Sequence, residues 1–191
     1  MLKVTKTKLD EVLIVEPKVF GDSRGYFFES YNKERFQEAG IEADFIQDNE
    51  SFSSYGVLRG LHFQKMPYTQ AKLVRVIQGE VLDVAVDIRE GSPTYGEHVA
   101  VKLSAENKRQ LYVPRGFAHG FAVLSEEVIF AYKCDNYYHP EADGGIKFDD
   151  ESLNIDWLIP AKKMILSEKD KIQPLLKDVS VFNINDELKS S

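Results

Sequence analysis

Four histidines are spread along the 191 residues, and two of them stand in segments whose neighbours invite chemistry. His62 lies in Gly56-Val57-Leu58-Arg59-Gly60-Leu61-His62-Phe63-Gln64, and His119 in Pro114-Arg115-Gly116-Phe117-Ala118-His119-Gly120-Phe121. An imidazole titrating at about 6.5 is largely neutral at cytosolic pH and accepts a proton readily, so either ring suits general-base work. The plainer alternative is a strand histidine whose nitrogens bond the backbone, because most buried polar groups are simply satisfied. A metal site is a third possibility. The first segment, however, offers His62-Phe63-Gln64 rather than two histidines one residue apart, and Lys72 stands where carboxylate ligands would be sought. A catalytic metal needs about three protein ligands, and an ammonium among them repels the ion, so no metal is expected.

The cations Arg24, Arg59, Lys72, Arg75 and Lys169 stand among β segments. Gathered at one cavity they would hold an anion, and guanidinium forks suit phosphate; taken singly, each is a solvated surface charge. Regular pleating puts Arg59 and His62 on opposite faces of their strand, so service in one site requires a bulge at Gly60 or a ligand that wraps the strand. Ser167-Glu168-Lys169-Asp170 has the form of a capping box, which gives Asp170 a structural use. Tyr132, Tyr137 and Tyr138 read from their surroundings as packing aromatics. The lone Cys134 cannot form an internal disulfide and reads as a buried small hydrophobe.

Elements able to position such groups are mostly short strands. Val81-Leu82-Asp83-Val84-Ala85-Val86-Asp87-Ile88 alternates with period two and puts Val84, Val86 and Ile88 on one core face. Similar segments are expected at 12–15, 26–31, 45–47, 57–64, 72–78, 98–103, 110–113, 119–124 and 128–133, with turn signals between them. Many strands at short spacing imply an all-β sandwich or barrel. One helix is expected over 33–39, with Asn32 as N-cap and Gly40 just past its end, and another near Ser167. There is no G-x-G-x-x-G and no P-loop, and helices do not alternate with strands, which disfavours a doubly wound dinucleotide fold.

With 24 Lys+Arg against 31 Asp+Glu the formal charge is −7, which argues against nucleic acid as a partner. No run of about 18 apolar residues suggests a membrane span, and no signal peptide is recognised, so a cytoplasmic protein is expected. Residues 1–191 read as a single domain whose polar end, about 184–191, is expected to fray.

Taken together these segments resemble the dTDP-4-dehydrorhamnose 3,5-epimerases, sugar-nucleotide epimerases of the cupin jelly-roll class, from about residue 10 to about residue 175. The likeness is carried by Glu16-Pro17-Lys18-Val19-Phe20-Gly21-Asp22-Ser23-Arg24-Gly25, Gln47-Asp48-Asn49, the His62 and His119 segments, Lys72-Leu73-Val74-Arg75, Gly79-Glu80-Val81, the Asp83–Arg89 strand, Tyr132-Lys133, Asn136-Tyr137-Tyr138 and Leu166-Ser167-Glu168-Lys169-Asp170. The resemblance implies a double-stranded jelly-roll barrel with a few short peripheral helices, and a reaction without cofactor. That reaction inverts C3 and C5 of dTDP-4-dehydro-6-deoxy-D-glucose, giving dTDP-4-dehydro-β-L-rhamnose.

By the same likeness His62 is the base, Asp170 its orienting carboxylate, Lys72 the cation beside the C4 oxygen and Tyr132 the acid. Arg24, Arg59 and Lys169 are implied near the diphosphate or nucleoside, with Glu29, Gln47, Asp48 and Asn49 as polar contacts. Tyr138 is implied as the ring stacked on thymine and His119 as a substrate-side hydrogen-bond partner. Asp143 stands where many members carry Glu, one methylene longer. The likeness further implies a homodimer in which exchanged N-terminal strands bring Arg24 and Glu29 to the partner's site, and the apolar strand Val12-Leu13-Ile14-Val15 is compatible with augmenting a neighbour's sheet edge. Two other functions fit the same residues: a single-carbon epimerase on a related nucleotide ketosugar, and a non-catalytic sugar-nucleotide-binding cupin.

Overall fold

A computed structural model of the protein describes residues 2–179 and 182–186. Among these, the strands are β1 (Lys3–Lys6), β2 (Leu13–Glu16), β3 (Val19–Asp22), β4 (Gly25–Phe28), β5 (Gln47–Ser54), β6 (Leu58–Gln64), β7 (Lys72–Gln78), β8 (Glu80–Asp87), β9 (Arg89–Glu90), β10 (His98–Ser104), β11 (Gln110–Val113), β12 (Phe117–Val123), β13 (Glu127–Cys134), β14 (Asp143–Gly145) and β15 (Phe182–Asn183). The helices are α1 (Lys33–Glu38) and α2 (Glu168–Lys171), begun by the side chains of Asn32 and Ser167 as expected. Two antiparallel sheets form the cupin-type jelly roll, one in the order β1-β2-β11-β7-β13-β5 and the other β10-β8-β12-β6-β14.

Between the sheets lies a core of Val74, Val76, Val81, Ala85, Leu103, Leu111, Phe121, Val123, Val128 and Phe130. A second core covers the outside of the five-stranded sheet, where Leu82, Val84 and Val86 meet Trp157, Ile159 and Leu176 from the C-terminal segment. The alternation in β8 predicts one core face; wrapping by the C-terminal segment buries both. A third, smaller cluster seats α1 on the outside of the six-stranded sheet through Phe36, Ile41, Val15 and Leu73. Each large apolar side chain buried in this way stabilises the fold by roughly 1.5–3 kcal/mol.

Two expectations about the N-terminal part change. The strand expected at 45–47 runs instead from Gln47 to Ser54. Its polar residues conceal it, because the inward face lines a cavity and the outward face meets solvent, so no apolar period develops. The apolar strand Val12–Val15 does not augment a neighbour's edge, because β2 is paired on both sides, to β1 and to β11. The element that projects is the β3–β4 hairpin, which pairs only with itself and exposes Phe20, Tyr26 and Phe27. Of the polar end, residues 187–191 lie outside the described residues; Asn183–Asp186 form a turn closed by the Asn183 N–H donating to the Asp186 carboxylate at 2.7 Å.

Candidate active site

The bulge in β6 decides which side chains meet. Across the β6–β12 ladder His62 faces His119 and Arg59 faces Phe121, so three steps along β6 match two along β12. Leu58, Leu61 and Phe63 therefore point to the outer core while Arg59 and His62 both line the inner cavity. Glycine is required at the bulge: Gly60 has φ +133°, and a Cβ there would stand 2.5 Å from the Gly120 Cα. The conflict of strand parity noted from the sequence is resolved by this extra residue.

That cavity, about 560 Å³, is bounded by β6, β7, β12 and β13 and by the loop that leads into α2, and it holds Arg59, His62, Lys72, His119, Tyr132, Lys169 and Asp170. A second lobe of about 370 Å³ shares His62, Lys72, Asn49, Tyr132 and Lys169, and adds Gln47, Gln64, Cys134, Tyr138 and Asp143. The shared residues make the lobes one cleft with a joint at His62, Lys72 and Tyr132.

His62 Nε2 lies 2.5 Å from Asp170 Oδ1, with the His62 side chain 31% exposed and Asp170 4%. Burial alone would raise the Asp170 carboxyl, but its hydrogen bond and charge attraction to His62 outweigh this and hold it below the usual value. The capping motif coexists with the pairing: the Asp170 N–H donates to Ser167 Oγ at 3.1 Å, leaving the carboxylate free for the ring. A residue that read as a helix cap thus serves both ends.

Lys72, on the inward face of β7, has its Nζ 5.9 Å from the centre of the Tyr132 ring. Burial lowers its affinity for a proton, opposed by Cys134, Asp83 and Asp143. Tyr132 is pushed up by burial, which keeps its phenol protonated. His119 donates or accepts through Nε2 at 2.9 and 3.1 Å from the two oxygens of Asp83, a carboxylate with no solvent exposure. Burial pushes Asp83 up, and His119 pulls it partly back. Sequence reading did not single out Asp83; the available signal was an acid flanked by apolar residues in the middle of a strand, on the face opposite Val84, Val86 and Ile88.

Other implied residues divide by position. Arg59 donates to Ser53 Oγ at 3.1 Å, and the Tyr138 N–H donates to Gln47 Oε1 at 3.1 Å, leaving the Tyr138 ring exposed at the second lobe. Lys169 and Asp143 form an ion pair at that lobe, and Asn49 lines both lobes. Asp48 is a correction: alternation along β5 turns it away from the cleft that Gln47 and Asn49 line, and it pairs with Lys133 at 2.8 Å on the outer face. Arg24 and Glu29 also stand outside the cleft of their own chain, Arg24 paired with Asp22 at 2.5 Å and Glu29 with Arg35 at 2.8 Å. Arg75 lines a depression on the outer face of the six-stranded sheet. Among the described residues no three His, Cys, Asp or Glu side chains assemble as metal ligands, and no helix is long and apolar enough to cross a membrane.

A paired imidazole, a protonated phenol and a lysine meeting in the mouth of a jelly roll define a cupin-type enzyme built for proton transfer beside a carbonyl. The family model described as dTDP-4-dehydrorhamnose 3,5-epimerase matches residues 6–178. The chain belongs to that family of isomerases. A protein of that name from Shigella flexneri is 57% identical over 170 residues, 88% of this chain and 93% of the relative. One from Methanothermobacter thermautotrophicus is 54% identical over 178 residues, covering 93% and 96%. A crystal structure from Legionella pneumophila, described as a dTDP-6-deoxy-D-glucose-3,5-epimerase in complex with dTDP-4-keto-L-rhamnose, superposes with TM-score 0.94 at 49% identity and covers 97% of this chain and 100% of that one.

Proposed function

We propose that the chain inverts C3 and C5 of dTDP-4-dehydro-6-deoxy-D-glucose through the cleft just described, with His62 as base and Tyr132 as acid. Neutral His62 removes the proton from carbon beside the C4 ketone, and ionised Asp170 fixes its tautomer and stabilises the imidazolium that forms. Lys72, with His119 beside it, faces the C4 oxygen and stabilises the enolate; one such donor is typically worth about 10²–10³ in rate. Tyr132 returns a proton to the opposite face. Arg59 and Lys169 hold the diphosphate or nucleoside, with Gln47, Asn49 and Asp143 as polar contacts and the exposed Tyr138 ring stacking on thymine. The observation that carries this assignment is the short His62–Asp170 pair opening onto the same cavity as Lys72 and Tyr132. A sugar-nucleotide-binding protein without catalysis has no use for that combination.

In deuterated water the wild type should introduce deuterium at C3 and C5 of the ketosugar, read by NMR, and His62→Asn should lower the exchange rate at least about 10³-fold. Tight binding of the ketosugar with no exchange by the wild type would reject the assignment. Exchange at one carbon alone would establish the single-carbon alternative.

We further propose a cytoplasmic homodimer in which the β3–β4 hairpin of one protomer carries Arg24 and Glu29 to the partner's cleft. Two features support it: the hairpin's exposed Phe20, Tyr26 and Phe27, and the position of Arg24 outside its own cleft. Mixing inactive Arg24→Ala and His62→Asn proteins should restore activity, because one cleft of the mixed dimer then carries neither lesion; no recovery under subunit exchange would exclude a shared site.

A further inference from the structure

The cleft changes character along its strands. On β13 Tyr132 is followed, one pleat along on the same face, by Phe130, and on β12 His119 is followed by Phe121. One pleat advances roughly 6.6 Å. A polar row of His62, Lys72, His119 and Tyr132 is therefore bordered by an apolar row, in which the Phe121 and Phe130 rings stack with centroids 4.1 Å apart and planes 18° from parallel. The stack is backed by Val74 and Val76 of β7 in the core between the sheets. Phe121, 5% exposed, borders the lobe that holds His62, Tyr132 and Lys72, and the fully buried Phe130 backs it; nothing in the proton-transfer chemistry calls for an aromatic ring at that border.

We infer that the edge of Phe121 that reaches the cavity, held in place by the buried Phe130 ring stacked on it, seats the C6 methyl group and makes the site selective for a 6-deoxy hexose over its 6-hydroxy counterpart. This rests on the epimerase assignment above, which sets the C4 oxygen at Lys72. The methyl group on C5 is the only alkyl substituent of the hexose, and C5 flanks C4. With the ketone oxygen on the polar row, one flank of the ring reaches the neighbouring row, and a methyl group there loses contact with water at no polar cost. A C6 hydroxyl in the same place would exchange water for aromatic carbon. Along β6 the charged neighbour of that row, Arg59, is already engaged by Ser53 Oγ and the Phe52 carbonyl. Ser51 stands opposite Phe130 on β5 and is the hydroxyl in register with the stack.

The test uses two ligands that cannot react because they carry no ketone, dTDP-6-deoxy-D-glucose and dTDP-D-glucose, which differ only at C6. Calorimetry on the full-length wild type should show the 6-deoxy ligand bound about 10-fold or more tightly, the scale on which an apolar pocket resists an added hydroxyl. Phe121→Tyr, which offers the extra hydroxyl a partner, should bring the ratio of dissociation constants toward one, and Ser51→Ala should leave it unchanged. Phe130→Leu, a milder change in the same stack, should also shrink the ratio by weakening the 6-deoxy ligand. Equal affinities in the wild type, or a ratio untouched in both phenylalanine variants, would overturn the inference, as would loss of the preference in Ser51→Ala. Because binding is read without turnover, failure here is distinct from failure of the deuterium experiment.

Discussion

The cleft contains two His–Asp pairs, and they are not equivalent. In one, His62 is partly open to the cavity and its carboxylate, Asp170, is held ionised by the ring it touches. In the other, His119 and Asp83 are both buried, and the dominant influence on Asp83 is the loss of water, which pushes the carboxyl up. The same two residue types are tuned in opposite directions by position alone. Asp170 sits at the start of a short surface helix, with Lys169 beside it adding a further downward pull. Asp83 sits in the middle of a strand covered on both sides. In the proposed mechanism the ionised Asp170 stabilises the imidazolium that forms on its partner, while the desolvated Asp83 fixes the orientation of the His119 ring.

The largest expected effect tests the first pair. Asp170→Asn should lower the rate of C3 deuterium exchange by about 10³–10⁴, because the amide neither selects the required tautomer nor stabilises the imidazolium. Stability should fall with it. The folded pKa of Asp170 lies below its ordinary 3.8, so the ionised carboxylate adds stability above that pH, and the contribution is lost as pH falls through the lower folded value. Acid-unfolding curves of wild type and variant should therefore separate at neutral pH and converge in strong acid.

Asp83→Asn should behave differently. A raised folded pKa means that the contribution of Asp83 to stability is full below its ordinary 3.8 and is lost as pH rises through the folded value, so at neutral pH the buried acid is a net cost in either form. Replacing it should lower turnover only about 10-fold, through looser aim of His119, while raising the thermal midpoint by about 2–4 °C. A loss of stability as large as that of Asp170→Asn would show that the two pairs are alike after all.

The smallest effect concerns the second lobe, which Cys134 lines. Burial pushes the Cys134 thiol up from 9.0 to about 11, with Lys72 pulling the other way. Its contribution to stability is present below pH 9 and lost as pH rises through about 11. Cys134→Ala should flatten the alkaline decline by about 1–2 kcal/mol, measured by denaturant titration at pH 8 and pH 10.5.

Much of the candidate site was legible in the sequence. His62, Lys72, Tyr132 and Asp170 stand in motifs whose resemblance to the epimerase family assigns them together, and the cleft brings all four to one cavity. The strands 72–78 and 110–113 were readable because one face of each is apolar, and the caps at Asn32 and Ser167 because capping is local chemistry. Strand β5 was not readable, since a strand that lines a polar cavity carries no apolar stripe. Asp48 misled for a related reason: it sits between Gln47 and Asn49 in one motif, and pleating sends it to the other face.

The sequence by itself determined the residue types of the reaction and the alternation that makes a β barrel, because both are encoded within a few neighbouring residues. Only the tertiary structure decided which charges share a compartment. The extra residue at Gly60 turns Arg59 and His62 to one side, and Asp170 arrives from 108 residues away to meet His62. The fates of Asp83 and Asp170 were equally invisible, because a carboxylate's pKa depends on how much water and which partner the folded chain leaves beside it.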